Sequence, residues 1–369
     1  MTVRSELGES GAVVRRLIAT AGPAVDAIAA VVAERRIDFV MVAARGTSDH
    51  AAIYAQYVLG ERNGLAVGLA APSLASIYGR GPRLDRALVI GISQSGRSPD
   101  VVGVIEDGRR QGAATVAITN DPESPLAAAA GTVVGLEAGP ELAVAATKTY
   151  VAELTVVALL SEALRRAGVG VGSGAGDRSG VGAGSGAVRP ATTDGSADLA
   201  ALPATLDTIV ADDSSIAAVA GRWIGLGRCA VLARGYQYAT AREWALKLKE
   251  IAGVAADPYS AADFEHGPIA MIGSGFPVLA IATDGPALAG MADLIGRLRD
   301  LGADLLVASD SAEIRALVRD ALTIPSGTPE WLAPIASIVP CQLFAYHLAL
   351  AEGRDPEAPP NLRKVTLTR

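Results

Sequence analysis

The chain has 369 residues, long enough for two ordinary domains, and half of its residues are hydrophobic, ample for a buried core. Only 4% are aromatic, so that core is expected to be built mostly from Ala, Val, Leu and Ile. A formal net charge of −7 argues against a nucleic-acid binder, which shows a basic patch or stripe, but not against a small anion held in a locally positive site.

The N-terminal stretch MTVRSELGESGAVVRRLIATAG scatters its charges and has no signal-peptide core, so helices of the mature protein are expected there. Residues 38–44 read as a buried strand, and TSDHAAIYAQYVLGER (47–62) as a helix. Residues 86–92 (RALVIGI) form a second strand, PDVVGVIEDGRRQG (99–112) a helix and TVAIT a third strand. Continuous apolar strands between helices imply a parallel sheet covered on both faces, hence a doubly wound, flavodoxin-like α/β fold. A long helical pattern fills 144–166. The longest apolar candidate, YVAELTVVALLSEAL, is interrupted by Glu153 and Glu162; no run of membrane-spanning length is expected, and a cytoplasmic protein without a membrane partner is. The Gly/Ser-rich segment 167–197 reads as a flexible insertion between a first domain (1–166) and a second (198–369).

After this insertion the pattern repeats. RCAVLARGYQYATAREWALKLKE (228–250) parallels DFVMVAARGTSDHAAIYAQYV (38–58), and FPVLAIATDG (276–285) parallels RALVIGISQSG. Gly46 matches Gly235 and Gly96 matches Gly285 at one offset, while 112–119 matches 302–309 one residue further on. Two tandem copies of one α/β fold are therefore expected. They differ in chemistry: the second copy has Thr283-Asp284-Gly285 where the first has Ser93-Gln94-Ser95-Gly96, and an aspartate there would repel an anion.

Ligands of open α/β sheets sit beyond the carboxyl ends of the strands. The Ser93-Gln94-Ser95-Gly96 turn lies there, before a helix with Ser98 as N-cap and Pro99 in its first turn. A tight turn and a cap would account for one serine. Four small donors within six positions at a helix N-terminus favour an anion cradle. Arg45-Gly46-Thr47-Ser48 ends the first strand at the same edge and serves equally well as a cap or as a second set of ligand donors. Glu243, Lys247 and Glu250 recur at i, i+4 and i+7 on one helical face among apolar neighbours, so that one carboxylate could move protons with the lysine tuning it. A solvated salt-bridge face is the plainer alternative. His266 precedes Gly267-Pro268, a stiff loop suited to an acid–base group. Lys364, in the tail PPNLRKVTLTR, is either a solvated tail charge or a lysine able to form a Schiff base, and the alternating KVTLT suggests an ordered extended segment. Cys229 and Cys341 lie in apolar stretches and His50, His266 and His347 are far apart, so buried thiols and no metal motif are expected.

Taken together, RGTS (45–48), SQSGRS (93–98), AVAATKTY (143–150), RGYQYATAREWALKLKE (234–250), EHGP (265–268) and NLRK (361–364) resemble the SIS (sugar isomerase) family. The likeness is to the isomerase half of glucosamine-6-phosphate synthase and to stand-alone aminosugar-phosphate deaminases, over nearly the whole chain except the insertion. This resemblance implies that Gly46, Thr47, Ser48, Ser93, Gln94, Ser95 and Ser98 surround a sugar phosphate and that Val144 lines the sugar pocket. It implies that Glu250 moves the proton between C1 and C2, with Glu243 and Lys247 as its polar partners. His266 would open the sugar ring, reaching across a homodimer with shared active sites, and Lys364 would orient the substrate or carry an imine. Ala146 replaces a serine of the synthase and Arg45 a small residue, so sugar contacts are expected to differ. No N-terminal cysteine nucleophile or glutaminase domain is present in the sequence, so hydrolysis of glucosamine 6-phosphate to fructose 6-phosphate and ammonia is expected rather than glutamine-dependent synthesis. No cofactor is implied, because each step is acid–base chemistry. The alternatives are a fructosamine-phosphate deglycase, another aldose–ketose phosphate isomerase, or a non-catalytic sugar-phosphate sensor.

Overall fold

A computed structural model describes residues 2–170 and 195–364. Most of the Gly/Ser-rich insertion (171–194) and the KVTLT segment beyond Lys364 lie outside the described residues.

Three helices, Thr2–Gly8, Ser10–Thr20 and Gly22–Arg35, precede the first sheet. That sheet contains β1 (Phe39–Ala43), β2 (Ala66–Leu69), β3 (Ala87–Ile92), β4 (Ala114–Thr119) and β5 (Thr132–Gly135), in the order β2-β1-β3-β4-β5 and all parallel. The second sheet contains β6 (Arg228–Ala233), β7 (Ala255–Ser260), β8 (Pro277–Ile281), β9 (Asp304–Ser309) and β10 (Asp320–Thr323), again all parallel. Its order, β10-β9-β8-β6-β7, is that of the first sheet counted from the other edge. The two tandem copies are thus the same doubly wound, flavodoxin-ordered fold. Even the turn after the leading strand repeats: Gly46 and Gly235 take φ values of +56° and +61°, a region open to glycine at little cost.

The halves do not have separate centres. One apolar core runs from Val40, Val42, Leu88 and Ile90 of the first sheet to Val231, Ala233, Leu279 and Ile281 of the second. Between the sheets lie helices Thr47–Asn63 and Lys148–Arg166 from one half and Gln237–Lys247 and Ala333–Ala351 from the other, whose buried residues belong to that core. Each half keeps a smaller apolar cluster on its outer face. Cys229 and Cys341 are free, buried thiols, as expected. The expectation that no apolar run reaches spanning length needs correction: helix Ala333–Ala351 has 19 residues and is apolar enough to cross a membrane, but 89% of that stretch is buried inside the protein. Its lack of charge reflects its place between two sheets, where it is apolar all round.

Candidate active site

The Ser93–Ser98 loop leaves β3 at the centre of the first sheet. Its path is set by the backbone: Ser93 donates to the Ile118 carbonyl (3.0 Å), the Gln94 carbonyl accepts from the Asn120 amide (3.0 Å), and the Gly96 carbonyl accepts from the Leu126 amide (3.1 Å). Gly96 has φ +61°, and a Cβ there would overlap the Ser124 side chain and crowd the Thr119 hydroxyl. Gly96→Ala is therefore expected to destabilise the protein by about 1–3 kcal/mol, from left-handed strain and overlap together. Urea unfolding would measure this, and an unchanged midpoint would contradict the account.

The serines divide their work. The Ser93 hydroxyl accepts from the Gly96 amide (3.2 Å) and the Ser95 hydroxyl from the Arg97 amide (3.4 Å), both of them turn-stabilising bonds. Ser98 has the extended backbone of an N-cap ahead of helix Pro99–Arg110, but its hydroxyl makes no capping bond. Among the described residues, neither it nor the Gln94 amide is hydrogen-bonded to another side chain, so both are available to a ligand at this helix N-terminus. Arg45, half-exposed, pairs with the buried Asp100 at 2.6 Å and thereby ties the β1 turn to the β3 loop. The matching corner of the second half is acidic: the Asp284 amide donates to Asp310 (2.9 Å), and burial with the charges of Glu61 and Asp284 raises Glu330 to about 7. An anion is disfavoured there, in line with the sequence reading.

Thr47 and Ser48 point elsewhere than at the serine loop. The Thr47 hydroxyl donates to Glu243 Oε1 (3.2 Å) and accepts from Lys247 Nζ (3.3 Å), while Ser48 donates to Glu153 Oε1 (2.7 Å). Thr47 thus binds the first half to the acid–base cluster of the second, while Ser48 joins helix Thr47–Asn63 to helix Lys148–Arg166 within the first half. In that cluster Lys247 lies between two carboxylates, 3.3 Å from Glu243 and in close contact with Glu250. Burial alone would lower the lysine's pKa, but the charges of Glu243 and Glu250 and its hydrogen bonds to both outweigh burial and raise it. The stripe is not one continuous α-helix as the spacing suggested. The α-helix ends at Lys247 and Glu250 lies in a π-helical turn, Leu248–Ala252, a departure common at functional sites. This turn leaves Glu250 with 21% of its side chain exposed, while Glu243 and Lys247 are sealed. The plainer reading of a solvated salt-bridge face does not survive that burial.

A cavity of about 510 Å³ opens beside Glu250, lined also by Lys249, Ile251, Arg354, Asp355 and Leu362. It lies on the tail side of Glu250 and does not include the serine loop. Lys364 folds back from the tail to Glu141 Oε2 (2.9 Å), and Glu141 also accepts from the amides of Thr147 and Thr149 and from the Thr149 hydroxyl. The tail lysine is thereby joined to the loop that carries half-buried Val144 and Ala146. His266 is not brought to the cluster. It is exposed at the end of the short helix Ala261–Glu265 and makes no bond to Glu243, Lys247 or Glu250 among the described residues.

Sequence reasoning missed Glu141, Glu153 and His50. Glu153 registered only as an interruption of an apolar run, and that interruption was itself the signal. It is buried, bonded to Ser48 through one oxygen, and its Oε2 has no partner. Burial pushes its pKa up to about 8, against the Ser48 bond; the charges of Glu141 and Glu243 raise it further and Lys247 lowers it. Between the ordinary value of 4.5 and about 8 the folded state holds a proton that the unfolded state has lost. Stability therefore falls as pH rises through that window and levels off above it. At 1.36 kcal/mol per unit, wild-type stability should fall by about 3 kcal/mol more than that of Glu153→Gln between about pH 5 and 7.5. Urea titrations at each pH would test this, and parallel curves would rule it out.

Comparison with known proteins agrees with this architecture. The family model described as SIS domain matches twice, at residues 34–163 and 226–352, and the chain belongs to that family. It is 33% identical over 331 residues to the glutamine–fructose-6-phosphate aminotransferase (isomerizing) of Pyrococcus horikoshii and 34% identical over 334 residues to that of Thermus thermophilus. Each match covers 89% of this chain and 52% of the relative, so the chain spans about half the length of these curated relatives. Among solved structures, a protein described as a phosphosugar isomerase from Silicibacter pomeroyi superposes with a TM-score of 0.80 at 32% identity, over 96% of this chain and 99% of that one. A glucosamine-6-phosphate deaminase from Thermotoga maritima shares the fold with a TM-score of 0.70 at 18% identity, over the full length of both chains.

Proposed function

We propose that this chain is a phosphosugar isomerase that acts on an aminosugar phosphate and converts glucosamine 6-phosphate and water to fructose 6-phosphate and ammonia. The observation that carries the reading is the partly exposed Glu250, held on a π turn by the sealed Lys247–Glu243 pair at the mouth of a cavity. A carboxylate so placed can take a proton from one carbon and return it to the next. The serine loop, with Ser98 and Gln94 free to donate, supports a phosphate anchor at the first sheet's edge. The open-chain aminosugar loses the C2 proton to Glu250 and regains it at C1, giving a 2-imine; water adds at C2 and ammonia leaves.

His266, exposed and without a bond to the Glu250 cluster of its own chain among the described residues, supports a homodimer in which each copy supplies this histidine to the other's site as the ring-opening acid–base group. Lys364, anchored on Glu141 beside Val144, would orient the open chain. The test is to supply purified protein with glucosamine 6-phosphate and measure ammonia and fructose 6-phosphate together. Equimolar release supports the reading. Tight binding without release would overturn it and favour a sugar-phosphate sensor, and ketose formation without ammonia would favour a simple isomerase.

A further inference from the structure

His50 stands outside every role assigned above, yet it makes the shortest bond to Glu243. Its Nδ1 is 2.8 Å from Glu243 Oε2, and its side chain is 9% exposed against 0% for the glutamate. The other oxygen of Glu243 is shared: Oε1 accepts from the Thr47 hydroxyl at 3.2 Å and from Lys247 at 3.3 Å. A fully buried carboxylate needs both oxygens satisfied, and an unsatisfied one would draw the nearest cation to itself. Here the nearest cation is Lys247, which is also the partner of Glu250.

We infer that His50 is a positioning residue for the proton transfer: by occupying Glu243 Oε2 it leaves Lys247 free to stay on Glu250. This rests on the proposed role of Glu250. The bonds run in one chain, from His50 on helix Thr47–Asn63 through Glu243 and Lys247 on helix Gln237–Lys247 to Glu250 on the π turn. The other titratable groups around it are Glu153 and Tyr150 on helix Lys148–Arg166, Glu141 ahead of that helix, and Tyr54, one turn from His50 on helix Thr47–Asn63. None of these shares a hydrogen bond with His50 among the described residues, so Glu243 is the one carboxylate that the imidazole orients.

Removing the imidazole donor bares Glu243 Oε2, and Lys247 shifts from Glu250 toward it. Glu250 then loses part of its cation. His50→Leu is expected to lower kcat by about ten- to a hundredfold, the range of one charge-assisted hydrogen bond, with KM little changed. His50→Gln, whose amide can donate to the same oxygen, should restore kcat. A wild-type kcat in His50→Leu, or a failure of His50→Gln to rescue a folded variant, would overturn the inference. A second readout is independent of turnover. Long-range ¹H–¹⁵N spectra should show the His50 Nδ1 protonated and shifted by Glu243→Gln. An unprotonated Nδ1, or no shift, would overturn the inference even if no aminosugar phosphate proves to be a substrate; the expected spectrum without turnover would instead sink the proposed function and leave the His50–Glu243 contact standing.

Discussion

Glu250→Gln is expected to reduce turnover of glucosamine 6-phosphate by about 10²–10⁴-fold, the share a positioned general base contributes. Glutamine keeps the shape and can still bond to Lys247, so the ion pair is weakened but the π turn is not emptied. What it cannot do is accept a proton from carbon. The loss should fall on kcat, because the proposed phosphate anchor at the serine loop and the tail contact of Lys364 do not involve this carboxylate. Isotope exchange makes the test sharper: from substrate deuterated at C2, wild-type protein should remove the label and deliver it to C1 or to solvent, and the variant should leave it at C2. Retained exchange in the variant would remove Glu250 from the proton-transfer role.

Lys247→Met is expected to cost about 3–5 kcal/mol of stability, the range for breaking a buried charge pair by deleting one partner. The lysine is 1% exposed and sits between two carboxylates, one of them completely sealed. Methionine fills most of the volume but leaves Glu243 with Thr47 and His50 alone. In the wild type Lys247 has a raised pKa, so the stability it contributes is complete below the ordinary lysine value of 10.5 and fades only as pH rises through the still higher folded value. Adding Glu243→Gln to Lys247→Met should recover part of the loss, because the stranded charge is gone. Urea unfolding of the single and double variants decides this, and strict additivity of the two losses would count against the coupling.

The parts of the fold legible in the sequence are those whose residues meet one uniform environment. β1, β3, β4, β6, β8 and β9 are central or near-central strands, buried on both faces, and show as unbroken apolar runs. The outer strands β2, β5, β7 and β10 escape notice because their burial is mixed. β7 even contains Pro258, which a strand tolerates at a sheet edge where one face of its ladder is unpaired. Helix Ala333–Ala351 is hidden differently: it has no polar face to give it a period, since the second sheet and the helices around it cover it on all sides.

By itself the sequence determined the tandem repeat, the serine loop with its glycine, and the grouping of Glu243, Lys247 and Glu250, because each depends on near neighbours in the chain and on local backbone geometry. Only the tertiary structure decided the rest. It tied Thr47 and His50 to Glu243 of the acid–base cluster and Ser48 to the buried Glu153. It also carried His266 to the outside. These outcomes join residues 100 or more positions apart, and what joins them is the shared core that presses helix Thr47–Asn63 against Gln237–Lys247, a packing choice that no single segment encodes.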